Sequence, residues 1–208
     1  MSPKRQGVVA AILIPFVMGR FSLMVALGLW LALWVIFAAG VQLTQRLGAA
    51  PQAGLAAKLR AQPLSWYGMT IAHLGVAIFV IGVTLVRGYE TERDLRMAPG
   101  EKVSIGGYEF TFKGTSEVAG PNYTAVRGSF EVRNAGSEKV NRIMHPEKRT
   151  YQASGQTMTE ADIDTGITRD IYVSLGEPVG DGAGGVRVYH KPFVDWIWGG
   201  CMVMALGG

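Results

Sequence analysis

His73 sits where a histidine is costly. It lies near the start of Gly68 to Val86, nineteen residues without a formal charge. Hydrocarbon offers an imidazole no hydrogen-bond partner, so an ionisable side chain in such a run marks a functional site by default. A neutral imidazole on a membrane helix can be an axial ligand of haem iron, as in many b-type haem sites, or it can hydrogen-bond a neighbouring helix. The run itself leaves both open. A haem usually takes a second ligand, and the other two histidines, His145 and His190, lie outside the apolar runs. That second ligand would come from another chain or segment.

The remaining residues with chemistry to offer are polar-domain residues. Pro146-Glu147-Lys148-Arg149 with Tyr151 could take carboxylates such as haem propionates in an arginine fork, or could be a solvated strand end. His145 and His190 read as surface or strand histidines. Val186, Val188 and His190 share one strand face, which would put His190 at a barrel rim. Cys201 is the only cysteine, which excludes an internal disulfide and a CxxC exchange motif, and it reads as a small core hydrophobe. No paired-carboxylate, Ser-His-Asp or phosphate-binding glycine arrangement is convincing. Gly180 to Gly185 lacks a strand-to-helix context and reads as a turn.

Two kinds of sequence must position these residues. The chain has 208 residues and is 49% hydrophobic, with the apolar residues gathered in long runs at the two ends. Arg87 to Lys191 is polar, with 14 Lys+Arg against 15 Asp+Glu, so the formal net charge of +4 arises outside it. No basic stripe alternates with stacking aromatics, so no nucleic-acid partner is expected, and the charge is a topology signal.

At about 1.5 Å per residue the His73 run reaches about 28 Å, enough for one membrane crossing. Gly68, Ala72, Gly75 and Gly82 form a small-residue stripe that would let a neighbouring helix approach closely. His73, about 100° from Ala72, borders that stripe. Residues 1–43 read as N-terminal membrane sequence, with a short or incomplete span at 7–19 and a stronger one at 22–43, on which Trp30 and Trp34 share a face. Arg46, Lys58 and Arg60 lie without an acidic residue between positions 44 and 67, the signature of a cytoplasmic loop. The span at 68–86 then delivers residues 87–192 to the other side. Residues 193–208 read as the start of a final span, and the sequence as a piece of something longer.

The polar stretch reads as β. Gly106-Gly107 separates two short runs, and Tyr108, Phe110 and Phe112 alternate with Glu109, Thr111 and Lys113, a hairpin with one buried face. Phe130 and Val132, then Ile171, Val173 and Leu175, continue the alternation. The fold class expected is a polytopic α-helical membrane protein, with an extracytoplasmic, mostly antiparallel β domain, a small barrel or sandwich, inserted between the last two spans.

Five segments together are familiar: Gly68-Met-Thr-Ile-Ala-His73-Leu-Gly75, Pro146-Glu-Lys-Arg149-x-Tyr151, Thr159-Glu-Ala161, Arg169-Asp-Ile-Tyr-Val173-x-Leu-Gly176, and Arg187-x-Tyr189-x-Lys-Pro192-x-Val194-x-Trp-Ile-Trp198. In order and spacing they resemble the C-terminal part of the CcmF/NrfE family, the haem lyase subunits of bacterial cytochrome c maturation. The resemblance covers most of the chain from Gly68 onward.

The resemblance implies a multi-pass protein of the bacterial inner membrane, with residues 87–192 on the periplasmic side. It implies a part in joining haem to the CxxCH thiols of apocytochrome c, haem being delivered by the chaperone CcmE and the apoprotein presented with help from CcmH. The resemblance matches His73 to the second of two transmembrane histidines that hold a b-haem, which reduces the incoming substrate haem, and implies quinol among the partners. Glu147, Lys148, Arg149, Tyr151, Arg169 and Asp170 match motifs of the last extracytoplasmic domain and are expected to serve structure and partner contact. The family's tryptophan-rich haem platform, its first transmembrane histidine and its two extracytoplasmic haem ligands are not in this sequence, and His145 and His190 do not replace them. The chain is thus expected to work with the remainder of a CcmF and to be inactive as a lyase alone. Two other readings remain: a non-catalytic membrane scaffold whose β domain binds partner proteins, and a quinol-linked b-haem electron-transfer subunit.

Overall fold

The computed structural model describes residues 22–48, 54–179 and 183–208. The short span expected at 7–19 and the centre of the glycine-rich turn, at 180–182, lie outside the described residues. The chain divides into two compact units, one of residues 1–89 with 192–208 and the other of residues 90–191.

In the first unit, α1 (Leu23–Gly48) and α3 (Leu64–Tyr89) are helices of 26 residues each. Both are long and apolar enough to cross a membrane. Between them lies the short α2 (Leu55–Arg60), and α4 (Val194–Gly207) adds 14 residues. Helix α3 begins earlier than its apolar run because Pro63 nucleates it. The proline carbonyl accepts hydrogen bonds from Trp66 and Tyr67 at 3.0 and 3.4 Å, and proline's fixed φ suits a helix start.

Glycines at a seven-residue spacing bring α3 and α4 together. A Cβ on Gly75 would lie 2.5 Å from the Met204 nitrogen and 2.8 Å from the Gly200 carbonyl oxygen, and one on Gly82 would lie 2.8 Å from the Ile197 nitrogen. The pair is antiparallel, with Gly68 against Gly207 at one end and Gly82 against Ile197 at the other. Backbones meet directly, as small-residue stripes allow. Since Gly200 occupies the contact, Cys201 is turned outward and is exposed, which corrects the expectation that it is a core residue. On its other side α3 meets α1, where Val25, Leu29 and Leu85 form a buried cluster backed by Trp30, Leu33 and Ile81.

The second unit is two antiparallel sheets packed face to face, a sandwich. One has the order β1 (Thr91–Met97), β10 (Ala183–Pro192), β9 (Arg169–Val179), β8 (Asp162–Asp164). The other runs β2 (Lys102–Ile105), β3 (Tyr108–Ala119), β4 (Tyr123–Asn134), β6 (Glu147–Tyr151), β7 (Thr157–Glu160), and β5 (Val140–Met144) also pairs with β4. Alternate residues supply the core: Phe110, Phe112, Phe130 and Val132 from one sheet, Ile171, Val173, Leu175, Val186 and Val188 from the other. Phe112 and Phe130 are cross-strand partners with stacked rings 4.8 Å apart.

Two details differ from the sequence reading. Gly184 and Gly185 belong to β10, opposite Met97 and Arg96 of β1, because sheet hydrogen bonding needs only the backbone and Gly176 and Gly185 can approach closely. Thr111, on the outward face of β3, is nonetheless 7% exposed. It lies between Lys102 and Glu131 in the register, whose long side chains can cover it.

Candidate functional site

The turn of α3 that carries His73 is fixed by its own backbone. The imidazole Nδ1 lies 2.7 Å from the carbonyl oxygen of Met69, one turn back. A carbonyl only accepts, so Nδ1 carries the proton in this contact, and in the neutral ring Nε2 keeps the lone pair. This is the tautomer in which a histidine ligates metal, with its other nitrogen oriented by a hydrogen bond. The ring is exposed within the chain and lines a groove of about 230 Å³ between α1 and α3. Trp34, Val35, Ala38, Ala39 and Gln42 form the α1 wall, and Met69 and Thr70 continue the α3 wall. Thr70 turns its hydroxyl to the Trp66 carbonyl at 2.8 Å, so the groove stays apolar.

The glycine stripe explains why His73 faces α1. With Gly68, Gly75 and Gly82 committed to α4, a residue one position past Ala72 is rotated about 100° away from that contact. Trp34 and Gln42, which the sequence reading did not connect with His73, come to it through the i, i+4, i+8 register of Trp34, Ala38 and Gln42 on α1. That spacing was the available signal. Among the described residues no three of His, Cys, Asp or Glu gather as a metal cage. The donor set is therefore one nitrogen in an apolar cleft, which fits one axial face of a flat, largely apolar macrocycle and does not fit a hydrated ion.

The polar-domain motif residues fall into two internal networks. Glu147, on β6, is 5% exposed and receives hydrogen bonds from Arg127 Nε at 2.6 Å and Arg149 Nε at 2.7 Å. Burial pushes its carboxyl up, but the bonds from Arg149 and Arg127 outweigh burial and hold it below the usual carboxylate range. Glu147 in turn raises the Arg149 guanidinium. Arg149 stacks over Tyr123 at 4.6 Å, and Tyr123 meets Tyr151 edge-on. Arg149 is thus engaged by a carboxylate and a ring of its own domain. Lys148 pairs with Glu177.

In the second network Arg169 donates Nε to the Tyr108 hydroxyl at 2.9 Å and Nη1 to the Asp164 carbonyl at 3.0 Å. This ties β9 of one sheet to β3 of the other. Asp170, 9% exposed, accepts the Gly166 N–H at 3.1 Å. His190 belongs to the same end of the sandwich. Its ring lies against Gly106 and 6.2 Å from Tyr108, and burial, then the charge of Arg169, lowers its pKa. His145 is exposed, and its backbone N–H is held by Asp162 at 2.6 Å.

Comparison with known proteins agrees with this architecture. A family model described as the CcmF C-terminal beta-sandwich matches residues 88–192. The chain is 45% identical over 190 residues to the cytochrome c-type biogenesis protein CcmF of Pseudomonas aeruginosa, covering 91% of this chain and 28% of that protein. It is 42% identical over 209 residues to CcmF of Pseudomonas fluorescens, covering 100% and 31%. A solved structure titled Cytochrome c Heme Lyase CcmF superposes with a TM-score of 0.77 at 19% identity, over 98% of this chain and 33% of that one, and shows the same fold. The chain spans about three tenths of the length of the curated relatives it matches.

Proposed function

The chain belongs to the CcmF family of cytochrome c-type biogenesis proteins, and on that premise we propose that it forms part of a haem lyase in the bacterial inner membrane, with His73 as one axial ligand of a b-haem. The observation that carries the reading is the His73 tautomer: Nδ1 is committed to the Met69 carbonyl and the ring lines an apolar groove, which leaves Nε2 for iron. The second ligand is a histidine outside this chain.

In this reading the bound b-haem supplies a one-electron carrier. The chain's own work is to hold that haem. Met69 fixes the imidazole, Ala38 and Ala39 leave room for a ring edge, and Trp34 gives it an aromatic wall. That carrier would keep the haem delivered by CcmE ferrous, with quinol as the electron source. Each cysteine S–H of the apocytochrome CxxCH motif then adds across a vinyl group of that haem, a carbon–sulfur bond forming as the hydrogen passes to the neighbouring carbon. The sandwich, with Glu147, Lys148, Arg149, Tyr151, Arg169 and Asp170 as its internal struts, lies on the periplasmic side and contacts the remainder of CcmF or CcmH.

Oxidised and dithionite-reduced absorption spectra test this on the detergent-purified chain, alone and with the segments that complete its relatives' length. A b-type spectrum that requires both those segments and His73 is the expected result. If His73→Ala keeps full haem content and supports normal cytochrome c assembly, the ligand role is wrong and the scaffold reading replaces it.

A further inference from the structure

The His73 groove has a polar end. Beyond the lining residues, one turn past Gln42 on α1 lies Arg46, and about one turn before Met69 and Thr70 on α3 lies Trp66. These two residues meet, with the Arg46 guanidinium carbon 5.2 Å from the centre of the Trp66 ring. A cation lying over an indole thus sits about one turn beyond the groove's lining. His73 lies seven positions after Trp66, roughly 10 Å along the helix axis.

The charge at this end has no counterpart in the sequence around it. No Asp or Glu occurs from Ser22 to Tyr89. Arg46 gives one N–H, on Nη1, to the Gln62 side chain at 3.0 Å, and a guanidinium has five. Beneath it, Trp66 is 5% exposed and its Nε1–H has no acceptor among the described residues. A buried donor without an acceptor is unfavourable, and a carboxylate is the acceptor that would suit both groups. Arg149, the other arginine considered for such a role, already holds Glu147.

Resting on the reading of His73 as a haem ligand, we propose that Arg46, with the indole N–H of Trp66, anchors the haem propionates at the polar end of the groove. A haem held by His73 would be taken at its carboxylates by Arg46 and Trp66 and along its apolar edge by Val35, Ala38 and Ala39.

The test compares two probes on the detergent-purified chain, with imidazole added as the second axial ligand: haemin, and haemin dimethyl ester, in which both propionates are neutral. Soret titrations on wild type should show haemin bound roughly tenfold or more tighter than the ester, as a charge-assisted hydrogen bond predicts. Arg46→Ala should remove that difference by weakening haemin alone, and Arg46→Lys should keep part of it. Equal affinity of wild type for the two probes overturns the proposal without any variant. Equal weakening of both probes by Arg46→Ala also overturns it, and assigns Arg46 to holding Gln62 and its loop. Unchanged binding of both probes by His73→Ala removes the ligand reading itself, a separate outcome.

Discussion

The imidazole of His190 occupies the space in which a side chain on Gly106 would have to sit. Gly106 and Gly107 form the two-residue turn of the β2–β3 hairpin, with φ of +57° and +83°, the geometry in which glycine and asparagine are favoured. The turn therefore seats a side chain from the other sheet as well as reversing the chain.

Gly106→Ala meets both backbone strain and His190, whereas Gly107→Ala meets only strain, since nothing lies within 4 Å of a Cβ there. Gly107→Ala should cost about 1 kcal/mol and Gly106→Ala more. Thermal unfolding of the double variant Gly106→Ala, His190→Ala checks the cause: the excess cost should disappear when the ring is gone.

His190 should also make the domain acid-sensitive. Burial, assisted by the Arg169 charge, depresses its pKa, so the unfolded chain binds a proton that the folded one resists. Stability is then full above pH ~6.5 and falls as pH drops below it, until the folded state also takes up the proton. Urea midpoints from pH 8 to pH 5 should show this slope in wild type and a shallower one in His190→Gln.

Glu147→Gln leaves two guanidiniums facing a neutral amide. A loss of roughly 2–3 kcal/mol is expected, at or below the figure for breaking a fully buried pair, because Arg127 and Arg149 reach solvent. The folded-state pKa of Glu147 is depressed, so its contribution is present above the unfolded value of about 4.3 and is lost as pH falls through the folded value. Denaturant melts at pH 7 and pH 3 should show a smaller difference between wild type and variant at the lower pH.

Gly75→Val places carbons against the α4 backbone, which cannot yield as a side chain can. It should part α3 from α4, while Gly199→Ala, with nothing within 4 Å of its Cβ, should be silent. Thermal melting followed by helical circular dichroism in detergent checks this: Gly75→Val should lower the midpoint and Gly199→Ala should leave it unchanged.

Features encoded within a few residues were legible in the sequence. The Gly106-Gly107 hairpin, the alternating Phe110, Phe112, Phe130 and Val132, and the glycine stripe of α3 each follow from local stereochemistry and periodicity. What escaped depends on residues far apart. Glu147 looks like part of an exposed charged run until Arg127, twenty positions away, is placed beside it by the pairing of β4 with β6. The face of α3 that carries His73 acquires meaning only when α1 supplies Trp34 and Gln42. Cys201 and Gly200 differ by one position, and which of them meets α3 is decided by the rotation of α4.

Strands β1 and β10, the first and last of the sandwich, are hydrogen-bonded neighbours, with Thr91 opposite His190. Their facing Cα atoms are only about 5 Å apart, while α3 ends at Tyr89 and α4 begins at Val194. The polar unit, residues 90–191, thus begins and ends on two adjacent strands. In construction terms the sandwich is a cassette whose entry and exit strands are one ladder pair.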